Sequence, residues 1–387
     1  MMRLSRAKRG LISDWWWTVD RWTMVAILLL IVIGTVLSLA ASPAVANRLG
    51  FGSFYFVYRQ AVFIPVALVS MFLASLLTPR QVRRLAGLML VAAVVLMVLT
   101  LLIGKEINGS YRWLSLGGFA LQPSEFVKPG FVVLVAWLFA EGSRLPKFPG
   151  AAIALALYGL VVAILACQPD FGQVMLLTLV FSTLFFMAGL SWAWITVLAS
   201  LAIAGAIMAY LMMPHVASRV DRFIDPESGD TYQTDRALEA FQTGGFFGTG
   251  PGEGQVKRIL PDAHTDFIFA VAAEEFGVIV ALFIIGLFGF IVVRSFLHTL
   301  DERDRFVQLA VGGLAGLFGL QALINIAVNV NMLPAKGMTL PFISYGGSSM
   351  LALALGMGML LALTRRRAGA SGAAAAAWSG QVWEARA

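Results

Sequence analysis

Charge is scarce in this chain: only 13% of its 387 residues are charged and histidine occurs three times, whereas 59% are hydrophobic. A soluble globular domain carries about 25% charge, so an ordinary water-soluble fold is excluded. The single cysteine, Cys167, excludes an internal disulfide; in its apolar run it reads as a small core residue. The histidines (His215, His264, His298) show no His-Glu-x-x-His spacing, which argues against a metal enzyme. No cofactor is required by the sequence, although Asp262, His264 and Asp266 leave room for a divalent cation. A nucleotide site is excluded too. No strand precedes the glycines of 244–254, and Gly104-Lys105 is followed by Glu106 where a phosphate loop needs Ser or Thr. Long Leu/Val/Ala runs rule out the short alternating segments of a barrel, and no repeat of 20–50 residues is visible.

What is present is a succession of apolar runs, each near the roughly 20 residues that cross about 30 Å of hydrocarbon. These predict an all-α integral membrane protein, a polytopic bundle of about ten transmembrane helices. The expected spans are 23–42, 57–78, 85–103, 125–141, 150–167, 171–189, 192–213, 266–293, 306–331 and 346–364. Arg3–Arg9, Arg80/Arg83/Arg84, Arg144/Lys147, Arg303/Arg305 and Arg365–Arg367 then fall on one side, which the positive-inside rule makes the cytoplasm, with both termini inside. The net charge of +7 is scattered among loops, which reads as orientation and contact with membrane lipids rather than nucleic-acid binding. Ala44-Val45-Ala46 resembles a signal-peptidase site, but the preceding run is longer than a signal core and many like it come after. An uncleaved first helix is expected. The expected domains are a cytoplasmic segment 1–22, a transmembrane domain 23–367 and a disordered cytoplasmic tail 368–387. A large extracytoplasmic loop, 214–265, separates helices 7 and 8; its length exceeds what a connection needs. Within it, Thr234 to Gln242 predicts a short amphipathic helix with Ala237, Leu238 and Phe241 on one face.

The polar residues that survive in so apolar a chain gather on the expected outer side. His264-Thr265-Asp266 stands at the mouth of an apolar stretch. Asp266 reads either as a helix cap or as a partly desolvated carboxylate whose raised pKa suits a general base. Glu274 and Glu275, two turns further in, read first as partners of a basic residue or as packing. In Gln122-Pro-Ser-Glu-Phe-Val-Lys128, Ser124 reads as a cap, and Glu125 and Lys128 at i, i+3 read as a structural pair or as a cavity-facing cation. Arg112, between Tyr111 and Trp113, is an interfacial anchor or a phosphate clamp. Asp170 after Pro169 marks a turn or a site residue, and Gly346-Gly-Ser-Ser349 reads as small-residue packing at a helix start.

Together the motifs Gly109-Ser-Tyr-Arg-Trp113, Gln122-Pro-Ser-Glu-Phe-Val-Lys128, Gln168-Pro-Asp-Phe-Gly172, Gly244-Gly-Phe-Phe-Gly248, Pro261-Asp-Ala-His-Thr-Asp-Phe-Ile-Phe-Ala270 with Glu274-Glu275, and Pro341-Phe-Ile-Ser-Tyr-Gly-Gly-Ser-Ser349 resemble the SEDS family (shape, elongation, division and sporulation). Gly250-Pro-Gly-Glu-Gly254 and Val256-Lys-Arg-Ile-Leu-Pro-Asp262 look like its division branch more than its elongation branch. Thr234-Asp-Arg-Ala-Leu238 departs from the family pattern. The resemblance implies a peptidoglycan glycosyltransferase of the inner membrane, acting at the division septum on lipid II and the growing glycan strand. It implies a class B penicillin-binding transpeptidase and other divisome membrane proteins as partners. The family's aspartate in its His-Thr-Asp motif falls on Asp266, the expected catalytic base. Substrate-binding candidates are Arg112, Gln122, Ser124, Glu125, Lys128, Asp170, His264, Lys336, Ser344, Tyr345 and Ser348. A lipid II flippase or a non-enzymatic divisome scaffold is the alternative reading. A transporter would concentrate its polar groups near the midplane instead.

Overall fold

The computed structural model describes residues 11–107, 110–116, 119–189, 192–212, 216–218, 220–221, 225, 231–334 and 337–365. Arg3–Arg9, His215, Lys336, Arg366, Arg367, the tail 368–387 and much of 214–230 lie outside them.

A short helix α1 (Leu11–Thr18) precedes α2 (Arg21–Arg48), α3 (Tyr55–Ser75) and α4 (Pro79–Ile103). Then come α5 (Pro123–Arg144), α6 (Gly150–Cys167), α7 (Phe171–Met187) and α8 (Trp192–Met212). The remainder is α9 (Tyr232–Gly244), α10 (Ile268–Leu300), α11 (Arg305–Asn329) and α12 (Gly347–Leu363). Local chemistry sets several starts. Thr78 and Gln81 form a reciprocal capping box ahead of α4, with Pro79 at its first position. Asp20 and Asp304 each accept a backbone N–H to cap α2 and α11.

Each of the ten expected apolar stretches falls on one of these helices. Among the described residues, seven helices are long and apolar enough to cross a membrane: α2, α3, α4, α5, α6, α10 and α11. Two of the seven form the centre. In α5 and α11, 61% and 72% of the apolar window is buried, against 22–28% in α3, α4 and α6. Mean hydropathy is low in the central pair, 1.4 and 1.8 against 2.9 for α4 and 3.0 for α10, but the little-buried α3 is as low at 1.7, so polar content rather than hydropathy marks the centre. Lipid is as apolar as a protein core, so the helices that carry polar groups move inward, where those groups find partners.

The all-α expectation needs one correction. The stretch after α4 forms a small antiparallel sheet: β1 (Lys105–Ile107), β2 (Ser110–Leu116) and β3 (Phe119–Leu121), in the order β1-β2-β3. Its residues are too few and too polar to continue a membrane helix, and pairing satisfies their backbone groups at the rim of the bundle. Cys167 is a second correction. It is exposed at the end of α6, because the next residue, Gln168, turns inward and donates to Met97 O and Thr100 Oγ1 at 3.0 and 3.2 Å.

The expected amphipathic helix exists as α9, longer than Thr234–Gln242, with Ala237, Ala240 and Gly244 buried and Phe241 against Phe269 at 5.7 Å. The turn after α9 fixes the shape of α10. Helix α10 is interrupted at Gly277, whose φ is 80° and ψ 175°. The glycine-rich turn docks backbone-first into that interruption: Thr249 N donates to Glu274 O at 2.9 Å, Gly250 N to Glu275 O at 3.1 Å and Val278 N to Gly245 O at 2.9 Å. The freed carbonyls and amides of a broken helix thus find partners. Three glycines make the approach feasible: a Cβ on Gly244 would stand 2.0 Å from Ala273 O. A Cβ on Gly248 would stand 2.1 Å from Glu275 O, and one on Gly277 2.2 Å from Phe246 O.

Gly277→Ala combines a positive φ with that clash and is expected to cost on the order of 2 kcal/mol. Gly286→Ala, in the same helix with nothing within 4 Å of the added methyl, should be neutral. Thermal unfolding of the detergent-solubilised protein checks both; equal midpoints for the two variants would contradict the docking.

Candidate functional site

The motifs that the sequence assigns to the outer side converge on one end of α5 and α11. Pro123 opens α5, and its first two turns carry a buried ion pair: Lys128 Nζ lies 2.8 Å from Glu125 Oε2, with both side chains 5% exposed. Each partner is held further. Lys128 donates to Gln321 Oε1 on α11 at 3.0 Å, and Gln173 Nε2 on α7 donates to Glu125 Oε1 at 2.8 Å. Such completeness is what a pair in a low-dielectric interior requires.

Asp170 continues the cluster. It caps α7, accepting from Gln173 N at 3.4 Å, and faces Arg112 at 3.6 Å. Arg112 is fastened by Ser110 Oγ at 3.1 Å and Pro169 O at 3.2 Å. The separation between Arg112 Nε and Asp170 Oδ2 is too long for a hydrogen bond, and both atoms are buried without one. Burial raises the Asp170 carboxyl above its ordinary value, and the Arg112 charge works against that rise.

Helix α11 joins this cluster to Asp266. Gln321, Asn325 and Asn329 recur every fourth residue and are all buried, so they form one polar stripe. Gln321 Nε2 donates to Thr339 O at 3.1 Å. Asn325 Nδ2 donates to Met338 O at 2.6 Å and to Asp266 O at 2.9 Å. Asn329 Nδ2 also donates to Asp266 O, at 2.9 Å, while its Oδ1 accepts Ala270 N at 3.0 Å. The backbone of Asp266 is thus pinned to a rigid helix. Its half-buried carboxylate lies over the loop before α12, since a Cβ on Gly337 would stand 3.6 Å from Asp266 Oδ2. The cap position of α10 belongs to Phe267, so the cap reading of Asp266 is not what the structure holds.

The remaining candidates form the walls. The His264 ring packs at a tilt against Phe56 and Tyr345, with centroids 4.3 and 5.6 Å away, and Tyr345 N donates to His264 O at 2.9 Å. Ser344 donates to Thr265 O and accepts Leu340 N at 2.8 Å. Ser348 accepts Gln122 N at 3.1 Å, tying α12 to the start of α5. Ser124 is not the cap of α5. That position is Gln122, whose Nε2 donates to Ser124 Oγ at 3.3 Å. Lys336 lies outside the described residues. Among the described residues no group of three or more His, Cys, Asp or Glu side chains could hold a metal ion, and His264 is committed to aromatic packing.

Glu274 and Glu275 are both buried; Glu275 pairs with the basic Lys257, whereas Glu274 is held by backbone amides. Glu274 accepts Val256 N at 2.7 Å and Lys257 N at 2.9 Å; Glu275 takes Lys257 Nζ and Gly252 N. Gln173, Gln321, Asn325 and Asn329 are absent from the candidates that the sequence suggests. A signal for three of them exists nonetheless: carboxamides four residues apart in a helix that is otherwise mostly Leu, Ile, Ala and Val.

Fold and site together define a multi-span membrane protein with a buried polar centre at one end of its bundle. The comparisons with known proteins narrow that class. The family model FtsW/RodA/SpoVE, described as "Cell cycle protein", matches residues 21–369. "Probable peptidoglycan glycosyltransferase FtsW" of Caulobacter vibrioides is 50% identical over 350 residues, covering 90% of each chain. The protein of the same name from Coxiella burnetii is 34% identical, over 87% of this chain and 93% of that one. Among solved structures, RodA of Thermus thermophilus superposes with a TM-score of 0.67 at 28% identity, over 90% of this chain and 97% of that one. A chain from work titled "Structural coordination of polymerization and crosslinking by a peptidoglycan synthase complex" reaches 0.72 at 28% identity, over 89% and 97%. This chain belongs to the FtsW/RodA/SpoVE family, the SEDS proteins its motifs resemble.

His264 supplies a pH signature. Burial, with the nearby Arg48 charge, pushes its pKa from 6.5 down to about 4. An unfolded chain therefore binds a proton below pH 6.5 that the folded chain refuses until about 4. Stability is full above 6.5 and falls across that window, by about 3 kcal/mol in all. Unfolding midpoints at pH 7 and pH ~4.5 should drop for the wild type and drop distinctly less for His264→Phe, which keeps the ring. An equal drop in both would contradict the burial of a neutral imidazole.

Proposed function

We propose that this chain is a peptidoglycan glycosyltransferase that polymerises lipid II at the outer face of the cytoplasmic membrane during septal wall synthesis, with Asp266 as general base. The observation that carries this reading is the joining of Asp266 to the Lys128 cluster through one stripe of α11. The names of the curated relatives support it.

The chemistry is dictated by the donor. Its sugar carries a diphosphate at the anomeric carbon, so the departing group leaves without needing a strong acid. The new bond forms between that carbon and the acceptor 4-hydroxyl oxygen as the bond to the diphosphate oxygen breaks. The hydroxyl proton goes to the Asp266 carboxylate, and attack from the opposite side inverts the centre, as in the base half of an inverting glycosidase. The growing negative charge on the diphosphate calls for fixed cations. Arg112, Lys128 and Lys336 take this role. The unbonded approach of Arg112 Nε to Asp170 suits it: an incoming phosphate oxygen supplies the acceptor that this Nε lacks. Gln122, Ser124, Ser344, Tyr345 and Ser348 line the approach for the sugar and diphosphate.

The wider proposals are ten membrane crossings, both termini in the cytoplasm and 214–265 outside. The basic residues at 80–84, 144–147, 303–305 and 365–367 support that orientation. Lipid II and the glycan strand then reach the site laterally from the bilayer. A class B penicillin-binding transpeptidase is the expected partner; the solved neighbour from a peptidoglycan synthase complex supports it, and other divisome membrane proteins complete the set. The gathering of polar groups toward one end of α5 and α11 favours an enzyme over a lipid flippase.

The test is polymerisation of purified lipid II by this chain with its transpeptidase partner, with transpeptidation blocked. Lys128→Met should lower the rate more than tenfold, roughly 1.4 kcal/mol or above. Because it leaves Glu125 buried and unpaired, the double variant Glu125→Gln with Lys128→Met is measured alongside. It should accumulate normally and remain slow. Wild-type glycan output from the double variant would mark the pair as structural.

A further inference from the structure

The opposite end of the bundle holds a second cluster that the transferase reading does not use. There the start of α2, the end of α10 and the end of α12 enclose a cavity of about 260 Å³, lined by Trp17, Asp20, Arg21, Arg294, His298 and Thr364 among others. Asp20 is fully engaged: its carboxylate accepts Arg294 Nε at 2.7 Å and Nη2 at 2.8 Å, Thr23 Oγ1 at 2.6 Å and Trp22 N at 3.3 Å, with His298 Nε2 at 3.2 Å. The aspartate is 4% exposed, but Arg294 and His298 keep 33% and 30% of their side chains open. Arg21 adds a guanidinium stacked 4.7 Å over Trp17 and tied by its Nε to Trp16 O at 3.2 Å. Two arginines and a histidine therefore face a cavity whose one acid is already spent. Nearby, Arg365 is bonded to Thr18 Oγ1 at 3.0 Å and exposed Asp14 lies opposite it.

The cavity's surroundings say what kind of anion fits. Trp22, at its rim, is 66% exposed, and below it Val25, Leu29, Val32 and Val36 are exposed along α2. On α10, Val293 and Leu297 are exposed beside Arg294 and His298. An apolar wall thus descends from a cationic cup edged by tryptophan, the layout of a membrane–water interface. Arg3, Arg6, Lys8 and Arg9 precede α1 in sequence and add attraction toward an anionic leaflet.

We propose that this cup binds the phosphate headgroup of an anionic phospholipid, with its acyl chains along the exposed face of α2. Arg21 and the open edge of Arg294 take the phosphate oxygens, Trp17 and Trp22 flank the glycerol, and Asp20 holds Arg294 in place. The lipid clamps α1 and the start of α2 to the end of α10, the helix that begins beside Asp266. This site stands whether or not the chain polymerises lipid II, since none of its residues belongs to that centre.

The test is native mass spectrometry of the full chain in detergent, titrated with phosphatidylglycerol or phosphatidylcholine. Wild type should retain phosphatidylglycerol preferentially, and Arg21→Gln should weaken that retention about fivefold, while Arg21→Lys keeps most of it. Arg84→Gln, which removes the same charge from the start of α4, should leave retention unchanged. Arg21→Gln spares the Asp20–Arg294 pair, so folding is kept and is checked by its unfolding midpoint. No preference for phosphatidylglycerol, or an equal loss in Arg84→Gln, would overturn the site. Displacement of the lipid by millimolar inorganic phosphate would overturn the lipid in favour of a soluble anion.

Discussion

Three carboxamides on one face of α11 hold this structure's polar centre together. Gln321 reaches Lys128 and the Thr339 carbonyl; Asn325 and Asn329 share the Asp266 carbonyl. In a hydrocarbon-like interior an unpartnered amide costs several kcal/mol, so each of these bonds is effectively obligatory. That obligation pulls α5, α10 and the loop before α12 onto α11 in one register. It also explains why α5 and α11, which carry these groups, are the most buried spans.

A second constraint acts from outside. The glycine-rich turn after α9 inserts its backbone into the break of α10, and Glu274 and Glu275 bind the adjoining segment from Gly252 to Lys257. Buried carboxylates are tolerated there because backbone N–H groups and Lys257 surround them. The first part of α10, from Ile268 to the break, is thereby held from both sides: by α11 through Asp266, and by the loop through Glu274 and Glu275. The proton transfer proposed for Asp266 would need such rigid supports, because a displacement of about 1 Å can cost 10²-fold in rate.

Much of this is legible in the chain. The apolar runs mark the helices in order, and Glu125 and Lys128 at i, i+3 mark the ion pair. The placing of Glu274 and Glu275 in an apolar stretch announces that they must be paired. Other features are hidden for physical reasons. Hydropathy alone does not separate a lipid-facing helix from a central one, so the inner position of α5 and α11 needs the structure. Alternation in the few residues of 105–121 is too brief to announce a sheet. The carboxamide stripe is readable, but neutral amides stand out less than charges in an apolar helix, and it is the stripe that links Asp266 to Lys128. Cys167 escapes a reading from composition because one residue of helical rotation, set by Gln168, decides which side it faces.

The central claim is that the anchored Asp266 carboxylate accepts a proton. The most direct measurement is lipid II polymerisation by purified Asp266→Asn, in complex with the proposed class B transpeptidase partner and with matched unfolding midpoints. Asparagine keeps the size and leaves the backbone carbonyl to Asn325 and Asn329, but it cannot take the proton. The account predicts a fall of about 10²–10⁴ in rate with folding and complex formation intact. Polymerisation near the wild-type rate would contradict it and leave Asp266 a structural residue of the loop.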